Sequence, residues 1–334
     1  MIVSDSGCLD TLGNADMAVA SDGVIRGFVG FYNCEDPLAY LEGSGRSWNR
    51  IVTPYIGQVI AVAYDGTATY LLYTSGDSMY VAKHGNDGTF APSELLSSTA
   101  DISSGGDILA ANGTWWAVWR EGAGSGGELY QAKSYGTDVS RQRITFNGVV
   151  DHHPTLALLP GVGAVLVWAR GEGPGDFPDR EHLRLATSTD GSWSSRALAT
   201  IGVNDSFPDV FTYVGTTYVA FQRDNHPVVA NDGGSGTARF TSFRFPQAGF
   251  SPTVGASLGR TFVAWTNFVG TTSSDHTFLA QNDGAGWSVA DVSAEPALNQ
   301  SALRVVARAG RATVLALRQG SPTRTGLAWV RFQP

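Results

Sequence analysis

The sequence predicts an all-β fold, a seven-bladed β-propeller of four-stranded blades, and three observations lead to it. Glycine supplies 41 of the 334 residues, and many glycines stand in turn-forming dipeptides such as Asp65-Gly66, Asn112-Gly113 and Asp190-Gly191. No segment combines a sustained helical period of apolar residues with capping residues at its ends. A unit of about 40 to 50 residues recurs along the chain, which is the repeat length of a propeller blade.

The repeat is clearest in the second strand of each unit. Each of these strands ends in an aromatic or large apolar residue that we expect to pack between blades. The members of this column are Phe31, Tyr73, Trp119, Trp168, Phe221, Trp265 and Leu317. The third strands agree, since LYQAKSYGTD and LRLATSTDGS both place a small alanine before a polar turn. The units are predicted to begin near residues 14, 57, 105, 152, 206, 250 and 299, which makes residues 1–334 one propeller domain.

The last unit supplies only three clear strands before the chain ends at Pro334. A closed ring of four-stranded blades needs one more strand, because closure removes the exposed sheet edges. Residues 1–13 are left over, and Met1–Asp5 is strand-like. We therefore expect this N-terminal strand to complete the last blade, with the rest of the segment leading into blade 1.

Composition excludes several classes of function. Apolar residues make up 43% of the chain and charged residues 16%, which favours a large core over disorder. The net charge of −8 argues against nucleic-acid binding, which needs clustered Lys and Arg. No apolar run approaches the roughly 18 residues of a membrane span. We expect a monomer without a cofactor.

The amino-terminal residues bear on the cellular location. The opening MIVSDSGCLD has neither the basic nor the apolar region of a signal peptide. The low lysine content and the many Thr, Ser, Gly and Trp residues are nevertheless typical of an exported bacterial protein. The prediction is a secreted or extracellular protein whose signal peptide is absent from this sequence. Cys8 and Cys34 flank the first two strands of blade 1 on the same predicted face, which predicts a disulfide.

One face of the predicted propeller carries the variable chemistry. The loops that enter each first strand and those that join the second strand to the third lie on this face. Arginines near the ends of second strands suit a glycan with carboxylate or sulfate groups, because Arg binds such groups through two parallel hydrogen bonds. The candidate substrate-binding residues are Arg120, Glu121, Asp151, Arg170, Asp205, Arg223, Asp224, Asn225 and Arg318. The alternative is that these arginines only pair with neighbouring acids such as Glu121 or Asp224.

Histidines on this face supply candidate catalytic groups. Two of the six histidines, His152 and His153, stand where blade 4 begins. Side chains alternate along a strand, so we expect only one of the pair to face the channel. His226 lies on the short second-to-third loop of blade 5. The spacing of the histidines matches no zinc signature, and the Asp-Gly turns lack the alternating carboxylates of a calcium loop, so no metal is predicted.

Two motifs resemble known families. STDGSW (Ser188–Trp193), NDGAGW (Asn282–Trp287) and NDGTF (Asn86–Phe90) resemble the Asp-box, or BNR, turn of sialidase-like propellers, which implies the fold. The segment from Asp151 to Leu156, followed by Leu159-Pro160-Gly161, is similar to the Asp-His-Asn-x-Pro segment and turn of seven-bladed propeller polysaccharide lyases. In this chain a second histidine replaces the asparagine and the spacing is one residue shorter. The resemblance implies a carbohydrate-active protein.

Three functions remain open. A polysaccharide lyase would cleave an acidic, uronate-containing glycan by β-elimination, with Arg170 or Arg223 as cation and His152 or His153 as base. Tyr32, Tyr55 and His226 are the candidate acids. A sialidase-like glycoside hydrolase would use two carboxylates at about 5–9 Å, drawn from Asp151, Asp205, Asp224 and Glu121. A non-catalytic lectin or interaction propeller would repeat one binding motif, whereas these polar residues differ between blades. The lyase is therefore preferred.

Overall fold

The computed structural model of the protein describes residues 12–20, 23–31, 37–44, 47–99, 105–122, 126–159, 163–172, 180–189, 191–198, 204–234, 240–269, 274–293, 299–319 and 325–332. Within these ranges all regular structure is β, in antiparallel sheets whose strands follow one another in chain order. Positive φ angles at glycines such as Gly113 and Gly215 let the chain reverse between strands. None of the described residues forms a helix long and apolar enough to cross a membrane.

The chain divides into two compact units, of which the first comprises mainly Val3–Pro154. It contains three four-stranded sheets. Blade 1 consists of β1 (Leu12–Val19), β2 (Ile25–Phe31), β3 (Pro37–Ser44) and β4 (Ser47–Ile56). Blade 2 consists of β5 (Gln58–Tyr64), β6 (Ala68–Ser75), β7 (Ser78–Gly85) and β8 (Glu94–Ser97). Blade 3 consists of β9 (Gly106–Ala111), β10 (Thr114–Glu121), β11 (Glu128–Tyr135) and β12 (Asp138–Arg143).

The second unit comprises mainly Thr155–Gly173 and Phe177–Pro334. Blade 4 consists of β13 (Asp151–Leu159), whose first residues belong to the first unit, β14 (Gly163–Gly171), β15 (Glu181–Ser188) and β16 (Ser194–Ala197). Blade 5 consists of β17 (Asp205–Tyr213), β18 (Thr216–Arg223), β19 (His226–Asn231) and β20 (Thr241–Arg244). Blade 6 consists of β21 (Phe250–Ser257), β22 (Arg260–Val269), β23 (Ser274–Asn282) and β24 (Trp287–Asp291). A further sheet consists of β25 (Asn299–Arg308), β26 (Arg311–Gln319) and β27 (Thr325–Phe332).

The core of each unit lies between successive blades. The predicted aromatic column is buried at each position whose side chain the structure describes, namely Tyr73, Trp119, Trp168, Phe221 and Trp265. One core cluster joins blades 2 and 3, and another joins blades 4 and 5. The first strands lie side by side within each unit, β5 beside β1 and β9, and β21 beside β17 and β25. This arrangement of meandering sheets confirms the predicted all-β propeller fold.

Polar side chains in the first strands tie neighbouring blades together. The Asp16 Oδ2 atom accepts a hydrogen bond from the Val62 amide at 2.7 Å in the first unit. In the second unit, Asp209 Oδ2 accepts a hydrogen bond from the Val254 amide at 2.7 Å. A buried amide without a hydrogen-bond partner lowers the stability of the fold. These aspartates therefore accept hydrogen bonds from amides that are not paired within their own sheets.

The prediction of seven four-stranded blades is wrong. Among the described residues six sheets have four strands, and the sheet of β25, β26 and β27 has three. The physical reason is already visible in the chain, whose last repeat contains only three strand-forming runs. The predicted closing strand Met1–Asp5 lies outside the described residues.

The predicted disulfide is withdrawn. Cys8 and Cys34 both lie outside the described residues, and the described ranges contain no disulfide.

Candidate functional site

The predicted site residues follow from where the strands start and stop. Within each unit, the start of a first strand pairs with the end of the second strand of the same blade, as Asp205 pairs with Arg223 in blade 5. The second strand then turns into the third at this same edge, where Arg223 pairs with His226. We call this edge the loop side of a blade. Two polar clusters lie on it, one in each unit.

The first unit holds a network around a buried carboxylate, which we call the Glu128 network: Glu128, Arg143, Thr145, Asn147 and Asp151. Arg143 Nη2 lies 2.7 Å from Glu128 Oε1, and the Asn147 amide donates to the same oxygen at 2.8 Å. The Asn147 side chain donates to Asp151 Oδ2 at 2.7 Å, so the backbone and side chain of one asparagine link two buried carboxylates. The network fixes the segment that leads into β13.

The sequence missed most of this network. Of its members only Asp151 is a predicted site residue, and its carboxyl group is fully buried rather than presented to solvent. Glu128, Arg143 and Asn147 come from the third strand, the fourth strand and the connection to blade 4. No local motif marks such residues, because their grouping depends on how three separate segments meet.

Arg120 and Glu121 stand next to each other in blade 3 but have different environments. Glu121 Oε1 accepts a hydrogen bond from Trp119 Nε1 at 2.9 Å. Arg120 is buried, and its guanidinium lies against Gly127, where a Cβ atom would come within 1.8 Å of Arg120 Nε. Glycine at position 127 is therefore required for the arginine to pack there. The Gly127 carbonyl accepts the Asp151 amide, which connects this contact to the start of blade 4.

His152 and His153 lie in contact at the start of β13. Their ring centroids are 4.6 Å apart, with 37° between the ring planes. His152 is buried and His153 is partly exposed. His153 has a φ of 51°, a left-handed conformation that interrupts the strand. This conformation departs from the strict alternation of side chains along a strand, so the two rings can meet. Which of them faces the channel stays a prediction.

The left-handed residue recurs in two other blades. Phe207 and Ser251 both have a φ of 48°, and each precedes a buried proline, as His153 does. The pairing registers show an irregularity at these points, between Ser206 and Asp209 and between Phe250 and Thr253. The conformation is thus a β-bulge of the scaffold, and blade 4 is distinguished by the imidazole that it carries there.

The second unit holds a cluster of charged side chains on the loop sides of blades 4 and 5. We call it the arginine cluster, comprising Arg170, Glu172, His182, Asp205 and Arg223. Arg223 binds Asp205 through two parallel bonds, from Nε to Oδ1 at 2.6 Å and from Nη2 to Oδ2 at 2.7 Å. The Asp205 carboxylate is fully buried, whereas the Arg223 side chain is 23% exposed. Within the described part of the chain, Arg223 Nη1 makes no further hydrogen bond, so this nitrogen can serve an external acceptor.

Burial and the ion pair act in opposite directions on Asp205. Desolvation raises the pKa of Asp205 above its ordinary value, although the hydrogen bonds and charge of Arg223 lower it. The hydrogen bond with Asp205 in turn raises the pKa of Arg223, so the guanidinium remains charged. The buried carboxylate therefore orients a permanent positive charge.

Arg170 and His182 lie opposite each other on adjacent strands of blade 4. The Arg170 guanidinium lies over the Trp168 ring, 5.7 Å from its centroid. His182 Nδ1 lies 3.4 Å from Glu172 Oε1. A positive charge on His182 would act to lower the pKa of the Asp205 carboxyl of blade 5. The cluster thus combines two arginines with a histidine that lies near a carboxylate. His182 and Glu172 are not among the predicted site residues.

The second-to-third loop of blade 5 is a tight turn. Asp224 and Asn225 have φ angles of 46° and 61°, the pattern of a two-residue type I′ hairpin. His226 follows the turn, and its Nδ1 lies 2.8 Å from Arg244 Nη2. The same nitrogen lies 2.9 Å from the Asp224 carbonyl oxygen, so its two contacts hold the ring against both the turn and β20. The turn places Asp224 and Asn225 beside Arg223.

Several predicted site residues either are not described by the structure or lie in the core. Tyr32 is outside the described residues, and the side chain of Arg318 is not described, although its backbone lies in β26. Tyr55, one of the candidate acids, donates its hydroxyl to the Ala91 carbonyl at 2.7 Å in the core of the first unit. Burial raises the pKa of Tyr55 to about 12. Among the described residues, no group of three His, Cys, Asp or Glu side chains is arranged to hold a metal ion.

Comparison with solved structures finds several of similar fold. A polysaccharide lyase of the PL25 family, an ulvan lyase, matches with a TM-score of 0.67 and 9% sequence identity, over 96% of this chain and 93% of that one. The endosialidase of phage phi92 matches with a TM-score of 0.56 and 9% identity, over 97% and 67% of the two chains. A subtype N10 neuraminidase-like protein from a little yellow-shouldered bat isolate matches with a TM-score of 0.55 and 12% identity, over 82% and 94%. No family model and no curated protein matches the chain.

At these identities the similarity shows the fold alone, a β-propeller. The turns that resemble an Asp-box are polar hairpin turns in the structure. Asp87 Oδ1 accepts a hydrogen bond from the Thr89 amide at 3.0 Å, and Asp283 Oδ1 accepts one from Ala285 at 3.1 Å. Such Asp-centred turns occur in many hairpins, so the Asp-box motif stays a prediction.

Proposed function

We propose that the protein acts on an acidic glycan and that its reaction is the β-elimination of a polysaccharide lyase. The observation that carries the proposal is the geometry of Arg223, a partly exposed guanidinium held in place by the fully buried carboxylate of Asp205. The propeller fold shared with a polysaccharide lyase supports the same class of substrate.

The first requirement of β-elimination is a cation that neutralises the uronate carboxylate, so that the proton at C5 becomes acidic. Arg223 meets it because Asp205 occupies Nε and Nη2 while Nη1 remains available for a substrate oxygen. The orientation is fixed before the substrate binds, so little is lost in ordering the side chain. Arg170 supplies a second cation in the same cluster. Asp224 and Asn225, on the adjacent turn, are proposed to contact the sugar hydroxyls.

The second requirement is a base that titrates near neutral pH, which favours histidine. Two positions compete for this role. His153 is partly exposed and belongs to the predicted pair with His152 in the first unit. His182 belongs to the arginine cluster itself, where its Nδ1 lies 3.4 Å from Glu172 Oε1. Arg120 and Glu121 of the first unit are also proposed as substrate-binding residues. Arg318 of the second unit is proposed for the same role.

For the acid that protonates the leaving oxygen, we propose Tyr32 or His226. The His226 ring is held by the contacts of its Nδ1 with Arg244 and with the Asp224 carbonyl, and a histidine ring can donate a proton to a leaving group. Because a polymeric glycan is met outside the cell, we extend the proposal to a secreted location.

The glycoside hydrolase is less well supported. Hydrolysis requires two carboxyl groups that reach the substrate. Asp151 and Asp205 are both fully buried, and Asp205 is occupied by Arg223. Two of the four carboxylates available for this mechanism therefore cannot approach a glycosidic bond.

The test is incubation of the purified protein with a panel of uronate-containing polysaccharides, followed by ultraviolet detection of unsaturated products. We expect product formation with at least one substrate, and Arg223→Ala should lower kcat/KM by about 100-fold because the carboxylate loses its cation. His153→Ala and His182→Ala, made separately, identify the base as the one whose loss abolishes turnover. Arg141→Ala is the matched control, since Arg141 pairs with Glu94 on the surface of the first unit.

A protein that retains glycans without releasing unsaturated products would refute the lyase and leave a binding propeller. Binding is measured in parallel by the retardation of the protein in gels containing each polysaccharide. Activity that survives Arg223→Ala would show that the cation lies elsewhere.

A further inference from the structure

Three turns between first and second strands in the second unit have the same unusual conformation. Val214, Leu258 and Ala309 each have a φ of 49°, and each is followed by a glycine with positive φ. They are two-residue type I′ turns, in which both central residues are left-handed. We call the segments 213–216, 257–260 and 308–311 the apolar turns. They lie at the opposite end of the strands from the loop side.

The residues in these turns are not the ones that the conformation favours. A left-handed backbone suits Gly, Asn or Asp, and a β-branched residue such as Val214 is a genuine outlier there. The equivalent turn of blade 3 in the first unit has Asn112, with a φ of 54°. The apolar turns therefore accept strain that an ordinary substitution would remove. Strained backbone conformations of this kind cluster at functional sites of proteins.

The strained side chains are also exposed. Val214 is 79% exposed and Leu258 is 67% exposed, so their side chains contribute little to the core. The turns are held next to one another by hydrogen bonds. Leu258 donates its amide to the Tyr213 hydroxyl at 2.9 Å, and Gly310 donates to the Ser257 hydroxyl at 3.3 Å. The result is a row of apolar side chains on fixed supports.

Basic residues accompany this row. Arg260, Arg308 and Arg311 belong to the same three turns, and no Asp or Glu occurs among the twelve residues, in a chain whose net charge is −8. Arg260 Nη1 donates to the Gly310 carbonyl at 3.1 Å, which adds a further tie between two of the turns. Arg311 is exposed.

We propose that the apolar turns bind an anionic lipid surface. Each apolar side chain at the tip of a hairpin can insert into the interfacial layer of a lipid bilayer. The flanking arginines are attracted by anionic headgroups. The charge of the row is complementary to such a surface, although the whole protein is acidic. The binding does not depend on the glycan activity, and it concerns the opposite end of the strands.

Vesicle sedimentation tests the proposal with the complete chain. Vesicles of phosphatidylcholine mixed with phosphatidylglycerol should bind the protein at low salt, and pure phosphatidylcholine vesicles should bind it at least about tenfold more weakly. The double substitution Val214→Asn and Leu258→Asn should reduce binding to the anionic vesicles by about tenfold or more. The same change should raise the thermal midpoint, because asparagine adopts the left-handed conformation more readily. Binding lost together with a gain in stability is an outcome that misfolding does not produce.

Two further variants keep the result interpretable. Arg311→Ser changes only the charge and should weaken anionic binding and its dependence on salt. Val52→Asn is the matched control, since Val52 is 62% exposed on β4 of the first unit and should leave binding unchanged. Equal binding to both kinds of vesicle, or full binding by the double variant, would overturn the proposal. Self-association that disappears in the double variant, without any vesicle binding, would assign the row to a second copy of the chain and also overturn it.

Discussion

Blades 4 and 5 begin with segments of the same design but different chemistry. Blade 4 begins Asp151-His152-His153-Pro154-Thr155, and blade 5 begins Asp205-Ser206-Phe207-Pro208-Asp209. Each has a fully buried aspartate at the first position, a left-handed residue at the third and a buried proline at the fourth. The fifth residue of each accepts a hydrogen bond from the next blade, Thr155 from the Val210 amide and Asp209 from the Val254 amide.

The difference separates what the scaffold needs from what is particular to each blade. The bulge, the proline and the inter-blade hydrogen bond belong to the scaffold, and blade 6 repeats them with Ser251, Pro252 and Thr253. The Asp205–Arg223 pair of blade 5 stands at positions that hold Asp151 and Arg170 in blade 4, whereas the histidines of blade 4 do not recur at the equivalent described positions of blades 5 and 6. Function is therefore sought in the side chains that differ, against a backbone that repeats.

The largest effect on stability is expected at the fifth position. Asp209 Oδ2 accepts hydrogen bonds from the Thr253 hydroxyl and the Val254 amide, each at 2.7 Å. Asp209→Ala leaves both of these buried donors without a partner. We expect a loss of about 2–4 kcal/mol in the free energy of unfolding. Thr155→Ala removes a neutral hydrogen bond of 3.4 Å and should cost about 1 kcal/mol. Urea denaturation measures both, and equal losses would show that the Asp209 carboxyl group contributes no more than the Thr155 hydroxyl.

A smaller effect is expected at the left-handed third position. Phe207→Asn and His153→Asn should each raise the stability by about 0.5–1 kcal/mol, because asparagine tolerates a φ near 50°. The two variants should differ in activity, since Phe207→Asn changes only the scaffold whereas His153→Asn removes a proposed base. Thermal unfolding and the lyase assay measured on the same preparations make the comparison. Equal activity of both variants would remove His153 from the mechanism and favour His182.

The smallest effect is a pH dependence at Asp209. Burial raises the pKa of Asp209 above its ordinary value, against the charge of Arg304 and the hydrogen bonds from Val254 and Thr253. A carboxyl group with a raised pKa contributes stability below its unfolded pKa and loses it as pH rises through the folded pKa. Relative to Asp209→Asn, the wild type should therefore lose stability as the pH rises above about 4. Denaturation midpoints of the two proteins across this range test the sign, and a gain in stability with pH would contradict it.

The residues that sequence reasoning predicted well share one property, which is that their signal is local. The aromatic ends of the second strands recur at a regular interval, and each described member, from Tyr73 to Trp265, is buried. The Asp224-Asn225 turn was recognisable as a tight loop because polar turn residues stand between two strands. The count of four-stranded blades was wrong, since it relied on a strand at residues 1–5 to complete a sheet for which the last repeat supplies only three strands.

The site was predictable only in part, for a physical reason. Arg223 and Asp205 were both predicted as site residues, but their bidentate pairing depends on the register between β17 and β18. Glu128 and Asn147 were missed because a third strand and a connecting segment bring them together. The contact between the His152 and His153 rings was not predicted, because the sequence does not show that a left-handed residue forms a bulge there.

The sequence by itself determined the all-β propeller fold and the residue types available at each strand end, because hydrophobic periodicity and turn chemistry act over a few residues. The tertiary structure alone decided which aspartates are buried, which arginine a buried carboxylate holds in place, and which apolar residues remain exposed in strained turns. These properties depend on registers and packing between segments that are distant in the chain, and local preferences do not encode them.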